Sequence, residues 1–98
     1  MAWRTVITPE VRVALGECGL SREGLLLVQL ALHHHLPKEV RRFRELRDPA
    51  DPDSLFLFRV GFPDGALWHH FTFWVDDVSK PHHLVVENLA HQTRPIDW

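Results

Sequence analysis

Leu55-Phe56-Leu57-Phe58-Arg59-Val60-Gly61-Phe62-Pro63-Asp64-Gly65-Ala66-Leu67-Trp68-His69-His70-Phe71-Thr72-Phe73-Trp74-Val75 is the stretch on which the fold turns. Its two arms are aromatic and β-branched, alternate in polarity and flank a Pro-Asp-Gly break, which is the pattern of a β-hairpin. Taking Asp64-Gly65 as a two-residue turn sets Pro63 opposite Ala66. Counting outward then puts Val60 beside His69, Arg59 beside His70 and Phe58 beside Phe71. Side chains alternate between the faces of a strand. Phe56, Phe58, Val60, Phe71, Phe73 and Val75 therefore fall on one face with His69. Leu55, Leu57, Arg59, Trp68, His70, Thr72 and Trp74 fall on the other. The first face reads as core, and the second, aromatic but carrying the polar residues, as the working face.

Downstream, His83 to Ala90 reads as a third strand after the polar Asp76–Pro81 turn. Its two faces are nearly equal in polarity; Val85, Glu87, Leu89 and His91 are placed with Arg59. Upstream, Trp3 to Ile7 has strand composition and leads into Thr8-Pro9, an N-cap followed by proline at the first helical position. That helix runs to a stop at Gly19. Ser21 caps a second helix whose broad apolar surface, Leu25 to Leu36, has the width of burial against a sheet. Pro37 interrupts it, and Lys38 to Arg47 resumes as a third helical segment with Val40, Phe43 and Leu46 on one side. Asp48 to Asp53 is a loop. The expected fold is α+β: an N-terminal strand, two or three helices, then an antiparallel β-meander with the helices packed on one face.

At 98 residues, 45% hydrophobic and 24% charged, the chain reads as a single globular domain over 1–98. Cys18 stands alone, so no disulfide framework is expected, and the N-terminus lacks the pattern of a signal peptide. A cytoplasmic location is the expectation. No apolar run is long enough for a membrane span. The formal charge of -2 exerts no overall pull on nucleic acid, although eight histidines would reverse its sign below about pH 6.5. Those histidines come largely as neighbours, His33-His34-His35, His69-His70 and His82-His83, and neighbours point apart on a helix or strand. No metal site and no cofactor are expected from that spacing.

The element order, together with Phe58-Arg59-Val60, His70-Phe71-Thr72-Phe73-Trp74-Val75-Asp76-Asp77 and Leu84-Val85-Val86-Glu87-Asn88-Leu89-Ala90-His91, resembles the RelE/ParE toxin superfamily of bacterial toxin–antitoxin systems. The resemblance covers most of the chain. It implies the toxin component of a type II system, held in check by a cognate antitoxin that wraps its helices or its basic segment. Ribosome-dependent members cut mRNA by aligning the ribose 2′-OH for attack on the neighbouring phosphate, and a chain of this kind would be such an endoribonuclease. Arg59 then holds the phosphate, and His91 exchanges a proton at the end of the last strand. His70 is a second candidate proton carrier, and Glu87 a base or an orienting group. Trp68 and Trp74 would stack bases.

Lys38, Arg41, Arg42, Arg44 and Arg47 read either as a docking surface for RNA or an acidic antitoxin segment, or as an ordinary solvated helix face. Departures from the family pattern leave enzymatic activity open. The chain has 11 Lys and Arg against 13 Asp and Glu, where the family's ribonucleases are basic. His70 or Thr72 stands where a second arginine is usual, Gln92 follows His91, and there is no tyrosine. Members of the ParE kind act on DNA gyrase without a catalytic set. The alternative is therefore a non-catalytic RelE/ParE-fold module, either a gyrase-type inhibitor or a protein-interaction domain. Leu55, Leu57, Trp68 and Trp74 would then form a protein contact or a homodimer seam. A third reading makes the histidines a metal-responsive or pH-responsive device.

Overall fold

β1 (Arg4–Ile7) runs into α1 (Pro9–Gly16) at Thr8, whose hydroxyl accepts from the Val11 N–H at 3.4 Å. Ser21 opens α2 (Arg22–Leu30) in the same way, accepting from the Gly24 N–H at 3.1 Å. The computed structural model describes residues 3–78 and 82–96. Beyond α2 the chain passes through a π-helical turn (Ala31–His35) into α3 (Leu36–Leu46) without leaving the helical path. A proline inside a helix lacks the N–H for its bond and drives its ring toward the carbonyl four residues back. A wider turn just before it relieves both problems. Pro37, expected to interrupt the helix, sits in the first turn of α3 behind such a turn.

β2 (Phe56–Asp64), β3 (Leu67–Val78) and β4 (His83–Pro95) form the antiparallel meander. β1 joins its far side, parallel to β4, giving a mixed sheet of order β1-β4-β3-β2. All three strands of the meander run further than their apolar stretches alone indicate. Pro63 is tolerated within β2 because β2 is an edge strand. The core lies between the sheet and the helices, where Val28, Leu32 and Leu36 meet Phe71, Phe73, Val75, Leu84 and Val86, all fully buried. The buried Thr5 hydroxyl donates to the Leu32 carbonyl and ties β1 to the π turn.

Two registers differ from the sequence reading. The hairpin closes on Gly65-Ala66, with Asp64 opposite Leu67, so Arg59 pairs with Thr72, Gly61 with His70 and Phe62 with His69. Gly65 has φ +63° at the first turn position and Ala66 stays at negative φ, the requirement of a II′ turn. The slip is two residues, an even number, so every side chain keeps its expected face while its partner changes. In β4, Val75 pairs with Val86 but Trp74 with Asn88, which leaves Glu87 as the extra residue of a β-bulge. Before the bulge Leu84 and Val86 face the core. After it Leu89 and His91 face it too, opposite Phe73 and Phe71. Their placement with Arg59 is thus corrected, because one inserted residue inverts the alternation.

The apolar surface of the second helix is buried only in part. Leu26, Leu27 and Leu30 are 58%, 46% and 46% exposed, as is Leu46 of α3 at 73%. A helix lays only one stripe against a sheet, and here that stripe is Val28, Ala31, Leu32 and Leu36. Among the described residues no helix is long and apolar enough to cross a membrane.

Candidate functional site

The helices cover one face of the sheet and leave the other open. Across that open face β2 contributes Leu57 and Arg59, β3 contributes Trp68, His70, Thr72 and Trp74, and β4 contributes Asn88, Ala90, Gln92 and Arg94. Gly61 lies opposite His70, and a Cβ there would stand 3.3 Å from Trp68 Nε1 and 3.4 Å from His70 Nδ1. The missing side chain lets both rings lie down on β2. Arg94 Nε donates to His70 Nε2 at 3.3 Å, and its guanidinium lies 5.9 Å from the centre of the Trp68 ring. With Nε2 accepting, this bond assigns the His70 ring proton to Nδ1. Arg59 is exposed and diagonal to His70, and among the described residues no carboxylate lies within ion-pair range of it.

Of the sequence-derived catalytic set, Arg59 and His70 are thus brought together. Glu87 is exposed at the bulge beside Trp74, four strand residues from His70 and so roughly 13 Å along the sheet. It neither orients His70 nor reaches it. His91 is on the helix side, where its Nε2 lies 2.9 Å from Nδ1 of the buried His69. Both rings stack with Phe71. Burial, and then the neighbouring His69, push the His91 pKa below its ordinary value. Arg59 and His91 therefore belong to different surfaces. Among the described residues no three His, Cys, Asp or Glu side chains converge to hold a metal ion.

The basic segment divides in two. Arg47 Nη2 meets Asp77 Oδ1 at 2.6 Å, and Arg44 Nε meets Asp77 Oδ2 at 3.3 Å. The Asp77 side chain is 4% exposed, and the Arg47 guanidinium covers Phe56 at 4.1 Å. These two arginines fasten α3 to β3 and β2. Lys38, Arg41 and Arg42 remain on the surface, with Arg41 bonded to Glu45 at 3.2 Å and Arg42 loosely paired with Glu39 at 3.9 Å. Arg42 also lines an open groove of about 620 Å³ between α3 and the edge strand β2, together with His35, Glu39, Leu57, Phe58 and Arg59.

Sequence reasoning missed Arg94 and His35. The signal for Arg94 was the alternation Asn88, Ala90, Gln92, Arg94, which continues past Ala90, where the strand was expected to end. No local signal marks His35, since its approach to β2 depends on how the π turn phases α3. Compared with known proteins, the chain matches no family model, no curated protein and no solved structure.

Proposed function

We propose that this chain is a toxin of the RelE/ParE type, checked by a cognate antitoxin, and that it binds a single strand of RNA on the open face of its sheet. The observation that carries this reading is the gathering of Arg59, His70, Arg94, Trp68 and Trp74 on the one face that no helix covers. Aromatic rings flanked by arginines on an open sheet suit stacked bases and their phosphates. The formal charge of -2 is compatible with it because charge is unevenly spread. Arg4, Arg59 and Arg94 share the open face with Asp76 and Glu87, while seven of the other acids lie in the helices and the 48–53 loop. In the ribonuclease form of this reading, Arg59 holds the phosphate and His70 is the histidine on its face, with mRNA on the ribosome as substrate.

Fluorescence anisotropy with a labelled oligouridylate tests the reading. Binding is expected at low salt and should fall steeply as salt rises, and Arg59→Gln should weaken it about tenfold and lower the salt slope by about one. No binding at low salt would refute RNA as the ligand. Induced expression without a partner should also arrest growth, and Arg59→Gln should restore it.

The exposure of Leu55 and Leu57, 39% and 43%, beside the half-buried Trp74 favours a second reading, the non-catalytic protein contact. Its targets are a second copy or a protein such as gyrase. Sedimentation across a concentration series separates the copy from the monomer.

A further inference from the structure

The groove between α3 and β2 lies just around the sheet edge from the open face, and Arg59 borders both. Its chemistry is that of an anion site. Arg42 and Arg59 supply two guanidinium groups from opposite walls, one on a helix and one on a strand, and His35 supplies an imidazole one helical turn before Glu39. Arg59 pairs with no carboxylate among the described residues, and Arg42 has only the loose 3.9 Å contact with Glu39. Both heads are therefore free to turn to a ligand. β2 is the outermost strand of the described sheet, so alternate N–H groups along this wall are unpaired with any strand. Leu57 and Phe58 give the groove an apolar floor. Arginines on two walls, with unpaired backbone donors between, match the oxygens of a phosphate better than a single basic helix face would.

We infer that this groove holds a backbone phosphate of the RNA strand that crosses the open face, bound between Arg42 and Arg59 with His35 donating a hydrogen bond. The inference rests on the RNA reading above and adds a site to it. Among the described residues lining the groove Glu39 is the one carboxylate, so it opposes an anion there, and its effect supplies a sign test. A merely structural role for Glu39 predicts unchanged or weaker binding on its removal, whereas a phosphate in the groove predicts tighter binding.

The test is an NMR titration of the whole chain with an oligouridylate, read at the Trp68 and Trp74 indole N–H signals and at the His35 ring, with affinities measured for Arg42→Gln and Glu39→Gln. Both side chains are exposed enough for the variants to fold, which their unchanged amide spectra would verify. The expected result is movement of the indoles and of His35 together. Arg42→Gln should bind about tenfold more weakly with a salt slope lower by about one, and Glu39→Gln about threefold more tightly. Movement of the indoles with a silent His35 and an unaffected Arg42→Gln would overturn the groove site and leave the open-face reading standing. Inorganic phosphate shifting His35 as strongly as the oligouridylate at equal concentration would make the groove a free-phosphate site and overturn the RNA assignment. If neither set of signals moves, the RNA reading fails and this inference fails with it.

Discussion

A Cβ on Gly24 would stand 2.7 Å from Asp64 Oδ2 and 3.3 Å from Phe62 Cε2. That carboxylate is held where it is by the backbone N–H and hydroxyl of Ser21, and the same bonds keep the Asp64 pKa below its ordinary value. Replacing a helical glycine by alanine ordinarily gains about 0.5–1 kcal/mol, while overpacking costs about 1–3 kcal/mol. Gly24→Ala should therefore destabilise the protein by about 1 kcal/mol in urea titrations, and a stabilised variant would contradict the contact. His91 carries a pH prediction. Its pKa is lowered by folding, so the unfolded chain takes up the proton first as pH falls. Its contribution is complete above the unfolded histidine value of about 6.5 and is lost as pH drops through the folded value. Urea midpoints of the wild type should fall between pH 7 and pH 5, and His91→Gln should flatten that fall. An equal fall in both proteins would exclude His91 as its source. Arg59 and His70 could be picked out from their positions in an alternating strand, but the need for a bare Cα at Gly24 could not, because the atoms that fill the space belong to Asp64 and Phe62.

Among the elements, α3 is joined to the sheet by a buried carboxylate with two arginines. Asp77 lies near the end of β3, where a turn was expected, and its buried carboxylate is held there by Arg44 and Arg47 while the backbone pairs with Leu84 of β4. Asp77→Ala leaves Arg47, 14% exposed, without its counter-charge, and should cost about 3 kcal/mol. The double variant Asp77→Leu with Arg47→Met should recover a large part of that loss, because removing both partners also removes the cost of desolvating them. Denaturant unfolding of the single and double variants checks both statements, and a double variant as unstable as the single one would show that packing rather than charge was lost. The bulge at Glu87 has the same lesson. Up to Val86 the alternation of β4 is readable, and beyond it the phase inverts, since an extra residue leaves no distinctive composition behind.

For the whole molecule, the formal charge of -2 conceals a partition, with arginines on the open sheet face and at the groove and most acids in the helices and the 48–53 loop. Binding of RNA, if governed by that local field, should depend on salt far more than the net charge implies, and the anisotropy series above measures it. The sequence by itself determined the α+β class, the order of strand, helices and meander, both helix caps and the two faces of the β2–β3 hairpin. Each of these is written in local terms, as capping residues, period and alternation, which a short window of chain contains. Only the tertiary structure decided the hairpin partners, the face of His91, the internal role of Arg44 and Arg47, and the meeting of His35, Arg42 and Arg59 in one groove. Those depend on the pairing register and on where separate elements come to rest, and both are set by packing between residues far apart in the chain.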